Sequence, residues 1–126
     1  METAPNPKWF TVATCGDVTI CNFNEKRFID GHSIQLMGSE LFRQVDELGR
    51  KWILLDFTKV ELISSAVLGV LINLNRKART AGGKVVLANV CKEITEVLEL
   101  TKLNQILALA GSLEEGQKTL SSLAAK

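Results

Sequence analysis

The stretch Trp52 to Gly69, WILLDFTKVELISSAVLG, decides the fold. Trp52 to Leu55 is continuous apolar sequence, as a central strand covered on both faces requires, and it stops at Asp56. A loop, Phe57 to Ile63, then leads to a serine pair, Ser64 and Ser65, that opens a helix predicted to run from Ser65 to Ala81 and to stop at Gly82-Gly83. Lys84 to Ala88 reads as the next strand. Strand, helix and strand in that order favour a parallel pair joined by a right-handed crossover. The serine pair therefore stands where backbone N–H groups lack partners and the helix dipole is positive. A hydroxyl at that place caps the helix, worth about 1 kcal/mol, or carries a phosphate.

Upstream, Phe10 to Ala13 and Val18 to Phe23 read as strands of an antiparallel hairpin turning at Gly16-Asp17. After a loop from Asn24 to Gly31, Ile34, Met37, Leu41, Val45 and Leu48 recur at helical spacing, and Gly49 supplies a stop. Downstream, a third helix is predicted over Lys92 to Leu100, with Ile94, Val97 and Leu98 on one side, and a short strand near Ile106 to Leu109. The closing helix starts at Ser112, where Ser-Leu-Glu-Glu matches a capping box with Glu115, and runs to about Leu123. These elements predict an α/β protein, a single domain over residues 9–124 with a mixed sheet of four or five strands and about four packed helices. Residues 1–8, with Pro5 and Pro7, read as a flexible lead-in.

Among 126 residues, 46% are hydrophobic, enough for a core without disulfides or metals. Apolar runs of only a few residues, and an N-terminus METAPNPKWF without a basic-then-apolar pattern, argue against membrane insertion and secretion and for a cytoplasmic protein. Cys15, Cys21 and Cys91 are odd in number and lack CxxC spacing, which argues against a disulfide framework and a zinc site. Fifteen basic against fourteen acidic residues, with no run of like charge longer than two residues, give electrostatic nucleic-acid or membrane binding little support. Catalysis has little to work with. His32, the one histidine, lies in a Gly-His-Ser segment and reads as a surface residue; Gly82-Gly83 lacks the length and the Lys-Ser/Thr ending of a phosphate loop. Lys59 and Glu61 read as solvated loop charges.

On a wheel of about 100° per residue, Val67, Val70, Leu71, Leu74, Ala78 and Ala81 form the core face of the central helix. The opposite face, centred on Ser65, holds Gly69, Ile72 and Arg76, flanked by Leu68 and Arg79, with Asn73 and Asn75 further round. Glycine inside a helix costs roughly 1 kcal/mol relative to alanine, so Gly69 between apolar residues suggests close approach by another protein. The alternative is that a second helix of the same domain covers the stripe. A phosphate on Ser65 would add about −1.5 to −2 charges beside Leu68 and Ile72, favourable to the helix start and costly in an apolar contact.

The chain resembles the STAS domain family, and within it the bacterial anti-sigma factor antagonists. That family's pattern runs from an aspartate ending an apolar strand to Asp-Ser-Ser-Gly-Leu-Gly at a helix start. Here Asp56 is the first aspartate, Ser64 stands at the second, Ser65 at the phosphorylated serine, Ala66 at the next serine and Val67 at the first glycine, while Leu68-Gly69 match. The run from Arg76 to Leu87, the Leu98 to Ile106 segment and Ser112-Leu-Glu-Glu extend the resemblance from about Trp9 to Leu123. It implies a transcription regulator without enzymatic activity or cofactor that binds an ATP-using anti-sigma factor serine kinase and so releases a sigma factor. Phosphorylation of Ser65, with Ser64 the alternative acceptor, switches it off, and a serine phosphatase resets it. The implied docking residues are Asp56, Ser64, Ser65, Leu68, Gly69, Ile72 and Arg76. Asp56 orients Ser65 or touches a metal held by the kinase, or else it binds loop amides. Some relatives use the scaffold constitutively, in stress-sensing assemblies or as accessory subunits of membrane transport ATPases.

Overall fold

The computed structural model describes residues 9–125. The apolar alternation of β1 (Phe10–Cys15) and β2 (Val18–Phe23) closes on Gly16, whose φ of 61° suits the first position of a two-residue hairpin turn. β4 (Trp52–Asp56) lies beside β2 and is followed by β6 (Lys84–Ala88) and β7 (Ala108–Ala110), giving a sheet in the order β1-β2-β4-β6-β7. The hairpin is antiparallel and the remaining pairs are parallel. The predicted mixed sheet is thus present, with its last strand two residues later than Ile106.

Between Asn24 and Gly31, and again within Phe57 to Ile63, the sequence reads as plain loop. The structure places a strand in each, β3 (Arg27–Phe28) and β5 (Leu62–Ile63), paired in parallel as a second small sheet. Each is two residues long, too short for periodicity to register; tertiary pairing makes them.

Three helices share one face of the main sheet, namely α1 (Gly31–Asp46), α2 (Ser65–Thr80) and α3 (Lys92–Leu100), and bury Leu41, Leu71, Leu74, Ala78, Ile94 and Leu98 over Ile53, Leu55 and Leu87. The fourth, α4 (Leu113–Ala124), covers the other face with Leu120 over Leu54 and Val86. A side chain like Leu74, wholly buried, contributes about 1.5–3 kcal/mol. α1 and α2 lock closely: a Cβ on Gly38 would lie 3.0 Å from a Val70 methyl, and Lys77 bridges to Asp46 at 2.9 Å and lies over the Phe42 ring.

α1 begins earlier than expected because Asp30 caps it, accepting from the Ser33 N–H at 3.1 Å and the Ser33 hydroxyl at 2.9 Å. These bonds hold the Asp30 carboxyl below its ordinary value, and His32, exposed in the same first turn, adds to the effect. α2 ends as Gly82-Gly83 dictates. Gly83 N–H bonds Ala78 C=O and Gly82 N–H bonds Arg79 C=O, the paired pattern of a glycine C-cap with Gly82 at φ 92°. Gly83 admits no side chain, since a Cβ would meet the Lys51 carbonyl.

Candidate functional site

The start of α2 is delivered by a loop fastened at both ends. Phe57 and Val60 are buried, the Phe57 N–H bonds Ala88 C=O at 2.9 Å, and Glu61 and Ser64 donate to Lys26 and Phe28 at 2.7 and 2.9 Å. Asp56 organises the near side: one carboxylate oxygen accepts from the Thr58 N–H at 3.0 Å, from the Thr58 hydroxyl and from Asn89 Nδ2 at 3.3 Å. Asn89 also reaches the Thr58 hydroxyl at 3.1 Å from a backbone φ of 58°. Of the roles open to Asp56, bonding of loop groups is the one these contacts supply.

Ser64 occupies the N-cap position, with extended backbone (φ −90°, ψ 169°) and its C=O accepting from the Val67 N–H at 3.1 Å. Its hydroxyl does not cap. Ser64 Oγ is buried without a hydrogen-bond partner, and α2 carries no acidic residue in its first turn. Of the two uses open to a hydroxyl at this helix start, capping is not the one Ser64 makes. With its backbone fixed by Phe28 and Val67, Ser64 directs its oxygen into the interior, where an unmade hydrogen bond costs about 1–3 kcal/mol. The first N–H groups of this 16-residue helix meet no capping side chain.

Ser65 is exposed, as are Ala66, Gly69, Asn73, Arg76 and Arg79. Nothing lies within 4 Å of where a Cβ on Gly69 would stand, so packing within this chain does not demand a glycine there. Leu68 and Ile72 are half-buried against the domain's own core, a partial cover that the wheel does not foresee. Two further positions differ from the wheel: Asn75 is buried, its Nδ2 at 3.5 Å from the Ile106 carbonyl, and Ala81 is exposed at the helix end. Val70, on the core face as the wheel has it, is half-buried against the core and α1. A helical wheel registers angle and not the neighbours on each flank.

Two apolar side chains near this helix start have no periodic signal in the sequence. Ile29, 54% exposed, follows β3, and Leu62, 47% exposed, lies in β5 opposite Arg27, in the small ladder that runs into Ser64. Only the pairing of those strands brings them to this end of the molecule. Lys59 and Glu61 are exposed loop charges. The cysteines are free; burial pushes the Cys21 thiol up to about 12, and Cys91 takes the N-cap position of α3 without capping it. Among the described residues, no helix is long and apolar enough to cross a membrane.

The STAS domain family model matches residues 11–116. Similar solved structures include a candidate anti-sigma factor antagonist from Thermotoga maritima, 24% identical over 89% of this chain and 94% of that one, with a TM-score of 0.79. A serine-to-glutamate variant of RsbS from Moorella thermoacetica is 22% identical over 93% of this chain and 98% of that one, with a TM-score of 0.77. The Bacillus cell fate determinant SpoIIAA in its phosphorylated form is 13% identical over 87% of this chain and 98% of that one, with a TM-score of 0.68. At such identities these likenesses concern the fold.

Proposed function

The chain belongs to the STAS domain family, and from that premise we propose that it is a cytoplasmic anti-sigma factor antagonist, a binding module switched by phosphorylation of Ser65. The observation that carries this reading is the placing of an exposed Ser65 at the uncapped start of α2, beside an exposed Gly69 and half-exposed Leu68 and Ile72. A kinase-type anti-sigma factor docks on this surface, with Arg76 at its far end, and gives up its sigma factor. The kinase then transfers the γ-phosphoryl group of ATP to Ser65 Oγ. The Oγ–P bond forms, the β–γ bridge of ATP breaks to leave ADP, and the hydroxyl proton passes to a base of the kinase. A phosphatase restores the hydroxyl by hydrolysis.

The physical basis is a difference between fold and contact. A phosphate beside the α2 N-terminus is favoured by the helix dipole, by about 0.3–1 kcal/mol at an exposed site, so the domain stays folded. The same charge must lose its water if a partner closes over Leu68 and Ile72, so the complex weakens. Ser64 is the poorer acceptor, since its oxygen is buried. In this chain Asp56 supports the loop, and docking centres on Ser65, Leu68, Gly69, Ile72 and Arg76.

A second reading keeps the surface and drops the switch: a constitutive STAS scaffold or transport-accessory subunit, favoured by an uncharged Ser64 where the family pattern has an aspartate. A pull-down with the cognate kinase separates the two. Under the switch reading Ser65→Ala binds as wild type does and Ser65→Asp loses the partner by about tenfold or more; equal binding by both variants favours the constitutive reading.

A further inference from the structure

The two edges of the main sheet are built differently. β7 has 3 residues and is blunt by its shortness, whereas β1 has 6, FTVATC, without a charge or a proline. Its register with β2 is unbroken from Phe10↔Phe23 to Cys15↔Val18, so no bulge twists the edge away. Thr11, Ala13, Thr14 and Cys15 are exposed, and α4 reaches this strand through Gln117 on Cys15. Charge, proline, bulges and short length are among the usual guards of an edge strand; β1 has none of them, and no strand among the described residues pairs with its outer side.

Because a two-residue turn closes the hairpin, Cys15, Ala13 and Thr11 exchange their bonds with β2, and the N–H and C=O groups of Val12 and Thr14 point away from the sheet. We propose that this edge joins two copies of the chain about a two-fold axis, β1 against β1 antiparallel, merging two five-stranded sheets into one. A second copy fits for three reasons. The uncharged strand meets no like-charge pair when placed opposite itself. The small Thr11, Ala13 and Thr14 side chains leave room for the paired backbone. Among the described strands, the opposite edge, β7, offers half the length, so β1 finds its best match in another β1, and an isologous pair closes as a dimer. α2 packs over β6 on the far side of β4, so both Ser65 faces stay clear and the dimer presents two docking sites at once. This inference does not depend on the switch.

Sedimentation equilibrium of the full chain over a concentration series tests it, with Thr14→Pro, which removes an outward N–H and leaves the β1–β2 ladder intact, and Ala13→Lys, which sets an ammonium group on the paired edge. The wild type reaches twice the chain mass as concentration rises, and each variant weakens association by about tenfold or more with an unchanged far-UV circular dichroism spectrum. Hydrogen exchange of the wild type gives an independent reading should a variant unfold: the Val12 and Thr14 amides gain protection with concentration. A wild type that keeps the mass of one chain into the millimolar range, a mass that grows past the dimer, or a dimer whose Val12 and Thr14 amides exchange as in the monomer overturns the proposal.

Discussion

α4 and α2 both begin after a serine in extended backbone, and the two starts are finished in opposite ways. At α4, Ser112 Oγ accepts from the Glu115 N–H at 3.1 Å, Glu115 reaches back to the Gly111 N–H at 3.2 Å, and Glu114 and Glu115 complement the helix dipole. At α2, Ser64 Oγ turns inward without a partner and the first turn holds no acid. α4 is completed by its own side chains. α2 receives no such completion from Ser64 or from an acid in its first turn, and its first residue is the exposed Ser65.

If α2 is unclosed at its start, its core face must hold it. Leu74, fully buried, should cost about 2–5 kcal/mol when changed to Ala, read as a lower denaturation midpoint; a smaller loss would mean that the helix has an anchorage unseen here. Ser112→Ala should cost about 1 kcal/mol by the same measurement, since it removes a working cap. Gly69→Ala should run the other way, stabilising by up to about 1 kcal/mol, because the new Cβ meets nothing; under the proposed function the same change weakens the partner complex, so stability and binding part company. Ser64→Ala is the sharpest contrast with Ser112→Ala. It removes an unpaired buried oxygen and should leave stability unchanged or slightly higher, and a loss equal to that of Ser112→Ala would erase the difference between the two helix starts.

The smallest effect concerns acid. Asp30 has a depressed folded-state value because Ser33 bonds its charged form, so its contribution is present above the ordinary carboxylate value of 3.8 and is lost as pH falls through the lowered one. Thermal melts below pH 3.8 should therefore show Asp30→Ala losing less with acid than the wild type does.

Much of this architecture is legible before any coordinates. Gly16-Asp17 marks the hairpin, the apolar run after Trp52 marks the central strand, and Lys84–Ala88 and Lys92–Leu100 are bounded in the sequence as they are in the structure. Each announces itself through a local signal: a turn pair, a period or a glycine stop. What escapes is set by distant contacts. β3 and β5 exist because each supplies the other's hydrogen bonds, and Ile29 and Leu62 reach the α2 end only through that pairing. Asp56 and Ser64 were legible as positions but not as contacts, because Asn89 lies 33 residues from Asp56 and the side-chain direction at Ser64 follows from backbone bonds to Phe28 and Val67. Glu115 three residues after Ser112 announces the closed start of α4 in the sequence, whereas the uncapped start of α2 is visible only in the structure.

The most direct measurement is phosphopeptide mapping after incubation of the chain with its partner kinase and ATP. One phosphate on Ser65, absent from Ser65→Ala and accompanied by release from the kinase, is the predicted result. An unmodified chain, or a phosphate on any other residue with Ser65 untouched, would contradict the account.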